Sequence, residues 1–152
     1  PFHSGDFVDI GDESGTVDEI SMTYTWLITP DNKVVFVPNS TVAASQITNY
    51  TVGGTRRAEI KVTASYDMEA QDVIDALLQA AQVEKVLQDP APFAALISYD
   101  DSAIGYVLRF WAKTEDYWDV YFQVNQRIQA VFAENKIEMC YPHLNVHLDK
   151  QQ

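Results

Sequence analysis

The chain has 152 residues, with 10 Lys and Arg against 22 Asp and Glu, so its formal charge is −12 with the histidines neutral. That balance argues against a nucleic-acid partner, because neutralising phosphates needs a basic face. A hydrophobic fraction of 47% belongs to a globular chain, and one cysteine, Cys140, cannot make an intrachain disulfide. No apolar run approaches the ~20 residues that span a bilayer. The N-terminus, Pro1-Phe2-His3-Ser4-Gly5-Asp6, lacks the charged and apolar regions of a signal peptide. It also lacks an initiator Met, as expected of a piece of a longer protein.

The first fifty residues read as short strands between turn signals. Phe7-Val8-Asp9-Ile10 is a strand with Val8 and Ile10 on one face. Gly11 to Gly15 is a turn. Thr16–Ile20 and Thr23–Ile28 are strands, rich in β-branched and aromatic residues. Pro30-Asp31-Asn32-Lys33 is a tight turn in which Asn32 is suited to the left-handed position. The run Val34–Val37 is continuously apolar, the pattern of a strand buried on both faces, and Pro38-Asn39-Ser40 ends it. Ile47-Thr48-Asn49-Tyr50 starts a fifth strand. Five short strands in this length predict a small barrel that hides its edges by closure.

Gly53-Gly54 marks a domain boundary, giving a β-domain over 1–52 and a second domain over 55–152. In the second, Arg57–Ala64 alternates strictly, with Ala58, Ile60, Val62 and Ala64 on one face. Asp67 is placed to cap a helix whose apolar positions are Ala70, Val73, Ile74, Leu77, Leu78 and Ala81. Asp89-Pro90-Ala91-Pro92 breaks the chain. Phe93–Tyr99 and Ile104–Lys113 are strands joined by Asp100-Asp101-Ser102. Thr114 caps a second helix with the face Tyr117, Val120, Val124, Ile128, Val131 and Phe132, and Ile137 begins a last extended stretch. The order β-α-β-β-α-β predicts a ferredoxin-like antiparallel sheet with both helices on one face. The fold class expected is therefore a five-stranded Sm-like β-barrel followed by an α+β plait.

Catalytic and metal signals are thin. His143 and His147 lie in an extended context, where positions four apart stand roughly 13 Å from each other, too far to share an ion. Cys140-x-x-His143 is half a zinc site with no second half. There is no Gly-x-Ser-x-Gly elbow and no phosphate loop. Asp100-Asp101 reads as solvated turn charge. Asn39-Ser40-Thr41 and Asn49-Tyr50-Thr51 match a glycosylation sequon that is too short to carry weight. Arg56-Arg57 reads as a pair of structural partners for acidic neighbours or another subunit. In Ile104–Lys113 the buried face is Ile104, Tyr106, Leu108, Phe110 and Ala112. Trp111 then points the other way with Arg109 and Lys113, either as a subunit or domain contact or to cover its own loop. No catalytic residue, metal or cofactor is implied.

The ordered series of motifs resembles the small-conductance mechanosensitive channel (MscS) family. It runs Pro1-Phe2-x-x-Gly5-Asp6-x-Val8-x-Ile10, Gly15-Thr16-Val17, Thr29-Pro30-Asp31-Asn32, Val37-Pro38-Asn39-Ser40, Ile47-x-Asn49-Tyr50-Thr51 and Arg56-Arg57. It continues through Ser65-Tyr66-Asp67, Asp89-Pro90-x-Pro92, Trp111, Ile137 and Tyr141-Pro142-His143. The chain departs from the family at Ile28, where many relatives carry Arg, and at Met22-Thr23, where Leu-Arg is frequent.

The resemblance implies the cytoplasmic vestibule of a tension-gated channel of the inner membrane, not an enzyme. Its partners would be six further copies in a homo-heptamer, the membrane helices of the parent protein, and passing ions and small solutes. Asp31 and Asn32 would lie near the pore helices, and Asn145, Val146, His147 and Leu148 would join subunits. An acidic vestibule would favour cations by local concentration. The alternative is a soluble module binding RNA or a small effector. The charge opposes RNA, and the second domain lacks the aromatic sheet motif of an RNA-recognition fold.

Overall fold

The structure is a computed structural model and describes residues 2–140. The chain divides into two units, Pro1–Arg56 and Arg57–Gln152.

The first unit holds β1 (Phe7–Ile10), β2 (Glu13–Ile20), β3 (Tyr24–Ile28), β4 (Val34–Pro38), α1 (Asn39–Ala44) and β5 (Ile47–Asn49). They form one five-stranded sheet in the order β4-β3-β2-β1-β5, antiparallel throughout. Its core is small: Val8, Ile10, Val17, Leu27, Val37 and Val42, with Phe2, Val35 and Ile47 packed against it. Alternation puts each of these strand residues on one face, as the period of two requires.

The expected barrel closure is not found among the described residues. β4 and β5 end the sheet and do not pair with each other. The reason lies in α1, which the sequence reading missed. It intervenes between the two strands and places Val42 in the core. The short β5 then returns to β1. The reading of Val34–Val37 as buried on both faces is corrected for the same reason. As an edge strand β4 has one face on the core. Val37 is buried and Val35 packs inward, while Val34 and Phe36 are about half exposed at 52% and 55%.

Gly15 shows why a small residue is needed where β2 crosses β3. A Cβ there would stand 2.8 Å from the Ile28 carbonyl oxygen, which the ladder holds in place. The strand also starts earlier than expected, at Glu13, so the preceding turn shortens to Gly11-Asp12.

The second unit holds β6 (Thr55–Ala64, which begins at the end of the first), α2 (Ala70–Ala80), β7 (Phe93–Tyr99), β8 (Ile104–Lys113) and α3 (Tyr117–Glu134). The sheet order is β6-β8-β7, with β7 and β8 an antiparallel hairpin. One core cluster joins Ala58, Ile60, Val62 and Ala64 to the even positions of β8 and to Val73, Leu77, Val124 and Ile128. Both helices therefore lie on the same face of the sheet. The alternation expected for β6 and β8 and the helical face expected for α3 are found as read.

Two caps differ. Asp67 does not cap α2, which begins three residues later behind Glu69. Residues 65–68 form a turn instead, Met68 N–H donating to the Ser65 carbonyl at 3.1 Å and Asp67 N–H to Ser65 Oγ at 3.1 Å. Thr114 is not the residue before α3 but opens a single 3-10 turn, Thr114–Asp116, that leads into it. The last described stretch, Ile137–Cys140, is not assigned as a strand. It runs beside the end of β6, where Ser65 N–H donates to the Glu138 carbonyl and the Thr63 hydroxyl to that of Cys140.

Candidate functional site

The turn between β3 and β4 is held by its own polar groups. Asn32 takes φ 66°, the left-handed position read for it from sequence. The Thr29 hydroxyl donates to Asp31 at 2.5 Å, and the Lys33 ammonium lies 3.0 Å from the same carboxylate. Thr29 Oγ1 also accepts Lys33 N–H at 2.9 Å. The Thr29 hydroxyl, then Lys33, hold the Asp31 carboxyl below its ordinary value. The result is a short, rigid, near-neutral tip carrying both residues singled out from the sequence.

The strands leading to this tip present an apolar outer face. Cross-strand partners there are Tyr24 with Pro38, Trp26 with Phe36, and Ile28 with Val34. Trp26 and Phe36 meet edge to face at 5.1 Å. Ile28 thus completes an apolar ladder with Val34. Met22, at the β2–β3 turn, is 99% exposed.

Both unpaired edges of this sheet share a second property. Residues 34–55, which contain β4, α1 and β5, include no Asp, Glu, Lys or Arg. The acidic residues of the first unit all lie within 6–31. Asp6 and Asp9 of that group brace the far side of the sheet. Asp6 accepts from the Asn49 amide and from the His3 backbone N–H, each at 2.9 Å, and both hold its carboxyl below the ordinary value. Asp9 accepts from the Tyr50 hydroxyl and from Ser14. The Arg56 guanidinium stacks 4.4 Å from the Tyr50 ring centroid. Arg57 approaches Glu59 at 3.9 Å, an exposed pair of little weight.

Both sequon asparagines are engaged in structure. The Asn39 amide donates to the Ser21 carbonyl and its oxygen accepts from the buried Thr25 hydroxyl, each at 2.8 Å. Asn49 donates to Asp6 and accepts from the N–H groups of Thr51 and Val52.

In the second unit Trp111 lies on the face of β8 away from the helices, half-buried, with Arg109. Arg109 reaches Glu59 at 3.8 Å. Asn145, Val146, His147 and Leu148, and the histidines at 143 and 147, lie outside the described residues. Cys140 is a half-buried free thiol, and no group of three metal-ligating side chains occurs among the described residues.

The model of the mechanosensitive ion channel β-domain matches residues 1–52. The model of the MscS C-terminal region matches residues 57–139, more than half of the chain.

The chain belongs to the mechanosensitive ion channel MscS family.

Among relatives, a small-conductance mechanosensitive channel from Edwardsiella ictaluri is 34% identical over 97% of this chain and 52% of its own length. Among solved structures, closed-state MscS from Helicobacter pylori is 26% identical, with a TM-score of 0.91 over 99% of this chain and 60% of that one. Arabidopsis thaliana MSL1, 19% identical, shares the fold with a TM-score of 0.76 over 93% of this chain and 54% of its own. The chain spans about half the length of the curated MscS relatives it matches. The family is one of membrane channels rather than enzymes. No helix among the described residues is long and apolar enough to cross a membrane.

Proposed function

We propose that the chain is the vestibule-forming part of a tension-gated MscS channel, assembled as a homo-heptamer on the cytoplasmic side of the inner membrane. The observation that carries this reading is the pair of unpaired sheet edges, β4 and β5, inside a charge-free run. Copies that each carry −12 repel one another, so contact favours surfaces without charge. An edge strand also exposes unpaired backbone groups that invite another strand. β4 of one copy against β5 of the next is a head-to-tail contact, the kind that closes into a ring.

The domain plan in this reading is a β-domain over 1–52 and a ferredoxin-like plait over 55–152. The sheet order β6-β8-β7, both helices on one face, and the run of Ile137–Cys140 beside β6 support the plait. Asp31 and Asn32 face the pore helices of the parent protein. Trp111, Asn145, Val146, His147 and Leu148 contact neighbouring copies. Membrane tension biases a closed–open equilibrium in the parent's membrane helices, and the vestibule filters the ions and solutes that reach the pore.

Patch-clamp of the full-length parent under suction tests the proposal. Pressure-activated currents support it, and a protein that reaches the membrane but carries none overturns it. The acidic vestibule adds a cation preference by local concentration. Reversal potentials in a salt gradient measure it, and an anion preference unmoved by charge reversal at acidic surface residues refutes that part.

A further inference from the structure

One end of the β6-β8-β7 sheet opens into a cleft of about 470 Å³. Its polar lining includes Lys61, Ser98, Asp100, Tyr106 and Asn125. We propose that this cleft binds a small zwitterion of the amino-acid type, its carboxylate toward Lys61 and its ammonium toward Asp100.

The backbone builds the space. Gly105 stands opposite Ser98 in the β7–β8 ladder, and the register shifts between Leu96 and Ser98. A Cβ on Gly105 would come 2.2 Å from Ser98 Oγ and 3.4 Å from Asp100 Oδ2. The serine hydroxyl and the carboxylate therefore converge over Gly105, where a Cβ would force the Ser98 hydroxyl to turn away. Tyr106, fully buried, also lines the cleft, and its hydroxyl has no partner among the described residues. A buried hydroxyl without a partner costs free energy that a bound polar ligand recovers. Burial, and then the neighbouring Tyr99, push the Tyr106 phenol up, so it stays a neutral donor. Lys61 and Asp100 lie on the same cleft, and neither forms a salt bridge among the described residues. Opposite charges on one cleft, whose lining also includes Val62, Ile97 and Met139, fit a ligand with both charges and an apolar side chain.

The test is an amide NMR titration of the whole chain with L-leucine at millimolar concentration. Isocaproate, which lacks the ammonium, and isoamylamine, which lacks the carboxylate, serve as half-ligands. Saturable shifts at Lys61, Ser98 and Gly105 are expected with leucine. They should weaken about tenfold or more with either half-ligand and in Asp100→Asn and Lys61→Met. Tyr106→Phe should weaken binding while leaving the ligand-free chain at least as stable as before, an outcome that a purely structural hydroxyl would not give. Absence of saturable shifts, or equal shifts with leucine and a half-ligand, overturns the proposal. So does a chain cut after Cys140 that binds when the full chain does not, because its own C-terminal residues would then be the occupant.

Discussion

Arg127 offers the sharpest test of how the second unit holds together. It projects from α3 onto the C-terminal end of α2, where Nε donates to the Ala80 carbonyl and Nη2 to the Gln79 carbonyl, each at 3.1 Å. α2 has no basic residue in its own last turn, so this cation from the neighbouring helix is what meets the negative end of its dipole. The two bonds are not equal. The Gln79 carbonyl also receives Gln82 N–H at 3.1 Å and stays satisfied without Arg127. Ala80 is fully buried, and its carbonyl would lose a charged donor. Taking about 1.5 kcal/mol for that bond, about 0.5 for the shared one and about 0.5 for the dipole gives roughly 2.5 kcal/mol. Arg127→Met keeps the apolar stem and removes the donors, so its effect isolates these terms. In a domain of this size the loss corresponds to a fall in Tm of about 10 °C or more. Thermal unfolding in a Trp26→Phe background reads it directly, because Trp111 and Trp118 then report on the second unit alone. Arg127→Lys keeps the charge without the fork and should recover only the dipole share. A loss below about 0.5 kcal/mol in the Met variant, or full recovery with Lys, would refute the capping argument.

Three further outcomes follow from the first unit. Asn32→Ala should cost about 1 kcal/mol in urea unfolding, because at φ 66° alanine keeps the crowded Cβ but loses the short polar side chain that lets asparagine tolerate it, whereas Asn32→Gly should stay within about 0.5 kcal/mol. Thr25→Val should cost about 1–2 kcal/mol by leaving the Asn39 oxygen without its buried donor, and Thr25→Ser should restore most of it, again by urea unfolding. The carboxyls of Asp6 and Asp31 are held below the ordinary value when folded, so on acidification the unfolded chain takes up their protons first. Their contribution is whole above about pH 4 and is lost as the pH falls through their folded values; Asp6→Asn should flatten this acid limb in unfolding curves taken from pH 6 downward.

What the sequence made legible is what periodicity encodes. The alternation in β6 and β8 and the apolar stripe of α3 each state a face, and the faces packed as written. Asn32 was readable because a left-handed turn position selects a short polar side chain. The misses share one cause, that local pattern does not say what lies on the other side. Val34–Val37 is uniformly apolar, yet only its place at the sheet edge decides that Val34 and Phe36 stay uncovered. α1, six residues of Asn, Ser, Thr, Val and Ala, is too short to show a helical period, yet it places Val42 in the core. Asp67 carried the right chemistry for a cap, but its backbone belongs to the turn at Ser65 and α2 starts only at Ala70. The cleft at Gly105 is illegible for another reason. It depends on a register shift in β7 and on the approach of five separate segments, from β6, β7, β8, α3 and the stretch after α3.

The edge of the first sheet poses a final question of design. Edge strands are usually blunted by charge, and this chain has charge to spare, with 22 acidic residues. Yet no charged side chain lies in 34–55, where both edges fall, while β1 and β2 in the middle of the sheet carry Asp9, Glu13, Asp18 and Glu19. Solubility as a monomer would favour the opposite distribution. A surface built to meet another copy would favour this one. Val34→Lys with Phe36→Lys separates the two. Both positions are more than half exposed, so the substitutions should cost the unit only about 1–2 kcal/mol, mostly the Trp26–Phe36 contact, and leave it folded. They place like charges on each copy at the edge that would pair, so assembly should weaken. Light scattering over a concentration series reads the mass: the unmodified chain should rise above 17.1 kDa and the variant should stay close to it. Equal masses for the two would show that the bare edge serves no contact between copies, and the argument from charge placement would fall.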